Sequence, residues 1–166
     1  MDTIDPELWI LVHGGPLEAV QQDAHPPGVL EILSHEEDWF IRAAVARKPS
    51  TPASVLLELA QDGNSSVCFS LVDNPAATAE ALDAVAGDPG RVRTTTENDL
   101  LRGVAAHPNT RPSLLAAISD SYSRHVREAV ARNPNTPISV LEKLAGDEDK
   151  GVREAAEDAL QVRQDG

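Results

Sequence analysis

Three histidines lie within the first 40 residues, together with nine Asp and Glu residues and no Lys or Arg. Imidazole and carboxylate groups are common ligands of zinc and other divalent ions. His13, His25 and His35 are, however, 12 and 10 residues apart, which matches no compact metal-binding motif. We therefore expect no metal site and interpret the histidines as scattered surface groups.

A second set of charged side chains recurs at fixed positions of a repeating pattern. Arg42, Arg127 and Arg153 share one repeat position, and Arg47 and Arg132 share another. Stacked repeats would align these guanidinium groups in rows, and such rows can bind carboxylates or phosphates. One interpretation is therefore a docking stripe for a partner.

The alternative interpretation of the arginine rows is structural. Acids recur at the repeat ends, at Asp62, Asp88 and Asp147, where they can pair with the arginines. Cys68 and Leu101 occupy the first arginine position in the two intervening repeats, so that row is interrupted. The sequence favours the structural interpretation, in which the arginines pair with acids or lay their alkyl stems over the core.

Residues 90–99 are the one place where a repeat differs grossly from the others, because seven residues are inserted there. Insertions in repeat proteins map to loops, often on a binding face. The segment also contains Arg91, Arg93 and Thr96, in a spacing that suits a basophilic Ser/Thr kinase. We expect an exposed, mobile loop, with partner binding or phosphorylation as open alternatives.

Motifs for catalysis are missing from the sequence. It contains no Gly-x-Ser-x-Gly elbow, no phosphate-binding glycine loop and no His-Glu-x-x-His pattern. Cys68 is the only cysteine, which excludes an intrachain disulfide, and its position beside Phe69 is typical of a small buried hydrophobe. We expect a protein that is not an enzyme.

The elements that position these residues form an internal repeat. Four similar segments end in a proline, with spacings of 26, 33 and 26 residues, and each is followed by a leucine-containing block. Segment 126–132 has helical apolar spacing and ends at Asn133-Pro134. A second helix then begins with Thr136 as N-cap and Pro137 at its first position.

The period predicts an all-α fold, an α-solenoid of about five repeats in which neighbouring helix pairs bury each other's apolar rows. We expect a single domain over residues 1–166. Its predicted parts are a cap helix (1–14), a degenerate repeat (15–40), four repeats (41–66, 67–99 with the insertion, 100–125 and 126–151) and a C-terminal cap (152–166).

Segments 126–147 and 41–62 closely resemble the bacterial leucine-rich-repeat variant family, and the weaker resemblance extends over about residues 15–160. The resemblance implies a right-handed superhelix of alternating α and 3₁₀ helices. Some members carry a preceding iron–sulfur module with cysteine ligands. No cysteine precedes Cys68 here, so we expect no such cluster and no other cofactor.

The charge balance limits the possible partners. The formal net charge is −13, which argues against broad binding to nucleic acids or anionic membranes. No apolar run is long enough to span a bilayer and no secretory signal is evident, so we expect a cytoplasmic protein. Trp9, Trp39 and Tyr122 are anchor candidates, although we expect both tryptophans to pack at the N-terminal end.

We therefore predict a non-catalytic scaffold that binds another protein or a peptide, with the acidic N-terminal region favouring a basic partner. Two alternatives stay open: a nucleic-acid-associated repeat protein that uses the aligned arginines, and an accessory subunit of a metal or redox enzyme. The predicted partner-binding residues are Arg42, Arg47, Arg91, Arg93, Thr96, Arg127, Arg132 and Arg153.

Overall fold

The computed structural model describes residues 5–26, 28–88 and 94–164. Within these residues the secondary structure consists of α-helices without strands, which confirms the all-α prediction. The helices are α1 (Pro6–Val12), α2 (Pro16–Val20), α3 (Val29–Leu33), α4 (Trp39–Arg47), α5 (Ala53–Leu59), α6 (Ser65–Val72), α7 (Ala79–Ala86), α8 (Thr95–Ala106), α9 (Pro112–Ile118), α10 (Arg124–Arg132), α11 (Ile138–Leu144) and α12 (Lys150–Gln164).

The chain divides into two compact units, residues 1–81 and 82–166, and the division falls within α7. In the first unit α4 packs on α6, and α1 packs on α3. In the second unit α10 lies between α8 and α12 and contacts both. The first helices of successive repeats therefore stack within each unit, as an α-solenoid requires. The proposed repeat and domain boundaries themselves stay a prediction.

The predicted apolar rows form the core of each unit. Leu56 is fully buried in the first unit, and Leu115 and Leu141 are fully buried in the second. Val126 and Val130 of α10 are also inaccessible to solvent. Helices of seven to nine residues are only marginally stable alone. Each buried leucine contributes about 1.5–3 kcal/mol, so stacking supplies the missing stability.

The second helix of each repeat is α-helical, which corrects the expectation of 3₁₀ helices. In α5 the amide of Leu56 donates to the carbonyl of Pro52 at 3.0 Å, and in α11 Leu141 donates to Pro137 at 3.1 Å. These are bonds between residues i and i−4, which define the α-helix. Bonds to residue i−3 occur at the ends, where a tighter last turn is common.

Thr136 does not cap the second helix of its repeat, so that prediction is wrong. The Oγ1 atom of Thr136 donates to the carbonyl of Val130 at 2.5 Å, and α11 has no side-chain N-cap bond. Thr110 donates in the same way to Val104 at 2.6 Å. The hydroxyl thus satisfies a carbonyl in the last turn of the preceding helix, where intrahelical donors run out.

The residue before the repeat proline joins one repeat to the previous one. The Nδ2 atom of Asn133 donates to the carbonyls of Ala105 and His107 at 2.7 and 2.9 Å. Its Oδ1 atom accepts the backbone amide of Asn135 at 2.8 Å. The bonds to Ala105 and His107 reach 28 and 26 residues back along the chain. A buried amide side chain therefore holds the ends of α8 and α10 together.

The same position makes the same connection in the first unit. Asn74 donates to the carbonyls of Ala46 and Lys48, both at 2.8 Å. Lys48 in turn donates from Nζ to the carbonyl of Gln22 at 2.8 Å. In each case the acceptor lies 26 or 28 residues earlier in the sequence. The sequence indicated that Asn133-Pro134 ends a helix, but this longer-range role was missed.

The N-terminal helix α1 lies within the segment predicted as a cap helix (1–14). Asp5 is the N-cap of α1, and its Oδ1 atom accepts the backbone amides of Glu7 and Leu8. After α1 the chain turns through Gly14 and Gly15, whose φ angles of 92° and 102° are strained for any residue with a Cβ atom.

In the last helix an arginine makes the contacts that Asn135 makes one repeat earlier. α12 runs on for 15 residues because Ala159 and Leu160 replace Asn133 and the helix-ending Pro134. Arg163 donates to the carbonyls of Pro134 and Thr136. One repeat earlier, Asn135 donates to the equivalent carbonyls of Pro108 and Thr110. Glu154, Glu157 and Asp158 on this helix are exposed to solvent.

Part of the insertion is helical, which corrects the expectation of a loop over residues 90–99. Thr94 is the N-cap of α8 and forms a capping box with Glu97, so residues 95–99 belong to the first turns of that helix. The reciprocal bonds satisfy two amides that would otherwise lack partners, which favours helix from this point. Residues 90–93 lie outside the described residues.

Replacement of the bridging asparagine is expected to destabilise the second unit. Asn133→Ala removes the side-chain donor to the Ala105 and His107 carbonyls and the acceptor of the Asn135 amide, at a cost of about 2–3 kcal/mol in the free energy of unfolding. Chemical denaturation monitored by circular dichroism measures the difference. Ser139→Ala, at an exposed position of α11, is the matched control and is expected to change stability by less than about 0.5 kcal/mol. Equal stability of the two variants would contradict the bridging role.

Candidate functional site

The predicted arginine row is held by internal contacts in the first unit. Arg42 forms a two-point ion pair with Asp62, with Nε to Oδ2 at 2.7 Å and Nη2 to Oδ1 at 3.2 Å. Its Nη1 atom donates to the carbonyls of Glu36 and Glu37. The guanidinium hydrogen bond holds the pKa of Asp62 below its usual value. Arg42 therefore closes the turn that precedes α4.

The second unit repeats this arrangement with the same spacing. Arg127 pairs with Asp147, with Nε to Oδ2 at 2.7 Å and Nη2 to Oδ1 at 2.9 Å. The two side chains are only 10% and 9% exposed. Nη1 donates to the carbonyls of Ser121 and Tyr122. The hydrogen bond from Arg127 lowers the pKa of Asp147.

One carbonyl interaction is common to this repeat position. Arg42, Arg127 and Arg153 each donate from Nη1 to the carbonyl six residues earlier in the chain. Cys68 occupies the position in another repeat, and its thiol donates to the carbonyl of Asp62, also six residues earlier, at 3.6 Å. Burial raises the pKa of this thiol, which is consistent with the predicted small buried residue.

These contacts support the structural interpretation of the first arginine position. The guanidinium N–H groups of Arg42 and Arg127 are directed at internal carboxylates and carbonyls rather than at solvent. The predicted partnership with Asp62 and Asp147 is thus observed. A role of these arginines in binding a partner stays a prediction.

The other predicted binding residues lie on the surface or outside the described part. Arg47 pairs with Asp73 at 3.2 Å, with the two side chains 66% and 64% exposed. Arg132 pairs with Glu128 one turn away on α10. Thr96 is exposed near the start of α8. Arg91 and Arg93 are outside the described residues, so their predicted role is not addressed by the geometry.

The three N-terminal histidines do not converge. His13 stacks on Trp9 with ring centroids 3.9 Å apart, and its Nδ1 atom contacts the Trp9 carbonyl at 2.8 Å. His25 contacts the carbonyl of Ala19 through Nε2, and burial lowers its pKa. His35 pairs with Glu58 at 2.9 Å. Among the described residues, no group of three His, Cys, Asp or Glu side chains has the geometry of a metal site.

The second unit has two grooves that run beside α10. One lies between α8 and α10 and has a volume of about 280 Å³; its lining includes Arg102, Ala106, Ala129 and Glu128. The other lies between α10 and α12 and has a volume of about 480 Å³. The lining of this larger groove includes Arg132, Ala155, Asp158, Ala159 and Val162. Small alanine side chains thus leave space between stacked helices, and charges of both signs line it.

The first unit exposes an aromatic pair. Trp39 and Phe40 at the start of α4 are 45% and 52% exposed, and their rings meet edge to face with centroids 6.1 Å apart. The expectation that both tryptophans pack at the N-terminal end is wrong for Trp39, because Ile41 and Val45 occupy the buried face of α4 instead. Sequence reasoning missed Phe40, although its helical position one residue before Ile41 could have indicated exposure.

Comparison with known proteins identifies the repeat. Residues 39–64 and 124–149 match the family model described as leucine rich repeat variant. Each match contains one complete Arg–Asp pair, Arg42 with Asp62 and Arg127 with Asp147. Two repeats of the chain are therefore similar to those of the leucine rich repeat variant family. Searches of the curated proteins and of the solved structures gave no match. None of the described helices has both the length and the apolar character needed to cross a bilayer.

The buried ion pair is expected to contribute more to stability than the exposed one. Arg127→Ala leaves the Asp147 carboxylate without its partner in a largely buried site, which costs about 3 kcal/mol in the free energy of unfolding. Arg47→Ala, the matched control, removes one partner of an exposed pair and is expected to cost less than about 1 kcal/mol. Denaturant titration of both variants measures the contrast, and similar losses would show that the internal pair has no special role.

The two ion-paired carboxyl groups also predict a dependence of stability on pH. Because the pKa values of Asp62 and Asp147 are lowered in the folded protein, their contribution is present above about pH 4 and is lost as the pH falls through the folded-state pKa. Asp147→Asn is expected to flatten the decline of the unfolding free energy between about pH 4 and pH 2. Asp62→Asn is expected to flatten the same decline, and an unchanged pH dependence in both variants would contradict the role of these pairs.

Proposed function

We propose that this protein is a non-catalytic scaffold that binds another protein or a peptide on the surface of its stacked helices. The observation that carries the proposal is the pair of grooves on either side of α10, with volumes of about 280 and 480 Å³. Each combines alanine side chains with arginine and carboxylate groups, a mixture that suits an extended or helical peptide.

The rigidity of the helix ends supports binding by a preformed surface. Asn133 joins α10 to the end of α8, and Arg163 joins α12 to the turn after α10. The helices that form the grooves are therefore connected by hydrogen bonds as well as by apolar contacts. A preorganised surface loses little conformational entropy when a partner docks, which favours affinity.

The ion-paired carboxyl groups whose pKa values are lowered take part in structural contacts. In catalytic sites, shifted groups cluster in a cleft. Here the ion pairs Arg42–Asp62 and Arg127–Asp147 lower the carboxyl pKa values, and the same pairs close the turns between helices. These groups are thus engaged in structural contacts. The charged groups that line the grooves, including Arg102 and Asp158, are exposed and available to a partner.

Substitutions that fill the grooves test the proposal. Ala106→Gln and Ala159→Gln place longer, uncharged side chains in the two grooves and are expected to raise the dissociation constant at least tenfold, about 1.4 kcal/mol. A stoichiometric partner is first recovered by affinity capture with the full chain and then measured with purified components by biolayer interferometry.

Ser139→Gln on the exposed surface of α11 is the matched control and is expected to leave affinity unchanged. Unchanged affinity of the groove variants would overturn the assignment of this surface. Binding of a DNA or RNA duplex at about 150 mM salt, abolished by Arg47→Glu and Arg132→Glu, would favour the nucleic-acid alternative instead.

A further inference from the structure

The chain has five aromatic residues among 166, and two of them form one exposed pair. Trp39 and Phe40 are adjacent on the first turn of α4, with about half of each side chain open to solvent. Exposed Trp and Phe side chains are uncommon, and tryptophan is among the residues that contribute most to binding energy at interfaces. The pair is therefore an unusual concentration of apolar surface.

Other repeats show that the fold does not require aromatic residues at this position. The equivalent residues are Ser65 and Ser66 in the next repeat and Arg124 and His125 in the second unit. Those residues begin helices α6 and α10, which stack as α4 does. The Trp39–Phe40 pair is thus a feature of one repeat rather than of the repeat architecture.

Three acidic residues directly precede the aromatic pair in the sequence. Glu36, Glu37 and Asp38 precede Trp39 directly, and the first 40 residues contain no Lys or Arg. Arg42 fixes the backbone of this acidic turn by donating to the carbonyls of Glu36 and Glu37, but its ion pair is with Asp62. Arg42 therefore orders the turn, in which Glu37 is exposed to solvent and Glu36 is partly exposed.

Asp38 also reduces the electrostatic repulsion that a cation would meet at the N-terminus of α4. The N-terminus of a helix carries partial positive charge, which would repel a cation. The Asp38 carboxylate accepts the backbone amide of Phe40 at 2.9 Å and caps this end of α4. Its negative charge, with those of Glu36 and Glu37, offsets the helix dipole.

We propose that Trp39 and Phe40, together with Glu36 and Glu37, bind an arginine- or lysine-rich segment of a partner protein. Cationic side chains stack on aromatic faces, and the neighbouring carboxylates attract the same groups. This inference rests on the proposed scaffold function and names the chemistry of its partner. It assigns a separate surface in the first unit to basic side chains, in addition to the grooves of the second unit.

The test uses the ¹⁵N-labelled full chain and a synthetic peptide of alternating Arg and Gly. On titration the indole N–H signal of Trp39 is expected to shift, whereas that of Trp9, which stacks on His13, serves as internal control. A peptide with Glu in place of Arg is expected to cause no shift. The dissociation constant is measured by fluorescence anisotropy of the labelled peptide at low and at about 150 mM salt.

The variant Trp39→Ser/Phe40→Ser copies Ser65 and Ser66 of the next repeat, so it is expected to fold as the parent does. Its dissociation constant for the Arg peptide is expected to rise at least tenfold. Glu36→Gln/Glu37→Gln is expected to weaken binding mainly at low salt. Thermal unfolding followed by circular dichroism verifies that both variants are folded.

Four results would overturn this inference. They are failure of the Arg peptide to bind, equal affinity of the double serine variant, equal binding of the Glu peptide, and self-association of the parent chain in sedimentation that the serine variant abolishes. The last would show that a second copy covers the aromatic pair. If the Arg peptide fails to bind while Ala106→Gln/Ala159→Gln still weakens the captured partner, the scaffold proposal stands and only the basic-partner inference fails.

Discussion

The two units depend on the way in which one repeat satisfies the backbone carbonyls at the helix ends of the previous one. A helix of nine residues leaves its last four carbonyls without intrahelical donors, so short helices carry a large share of unsatisfied groups. Asn74 and Asn133 supply donors across the repeat boundary, and Thr110 and Thr136 supply them within the repeat. Once these carbonyls are satisfied, the leucine rows between the helices can be buried without a polar penalty.

The sequence predicts the parts of the fold that depend on local pattern. The proline spacing and leucine blocks located the helices, and Leu56, Leu115 and Leu141 are buried as expected. The side-chain bonds were harder to predict, because Asn133 bonds carbonyls 26 and 28 residues away. Nothing in a local pattern shows where such a donor points. The insertion was misread for a related reason, since the capping box of Thr94 and Glu97 begins a helix inside it.

The charged residues of the candidate site fall into two groups: those in internal ion pairs and those exposed to solvent. Repetition of arginine allowed either a docking row or internal pairing, and the sequence favoured pairing; Arg42 and Arg127 do pair internally with Asp62 and Asp147. The surfaces proposed for binding are formed instead by residues that differ between repeats, such as the aromatic residues that begin α4. Grooves could not be read from the sequence, since their volume depends on how closely neighbouring helices approach. In this chain, a residue that recurs at the same repeat position thus indicates a structural role more reliably than a role in binding a partner.

The bridging bonds have a consequence for how such a protein changes over time. Asn74, Asn133 and Arg163 donate to backbone carbonyls of the preceding repeat. Every amino acid has a carbonyl, so the preceding repeat can vary its side chains at those places without losing the bond. A module of this kind can be duplicated, or exchanged for a divergent copy, without compensating mutations in its neighbour. Repeats that are free to vary in this way are expected to show limited sequence similarity, as the repeats of this chain do.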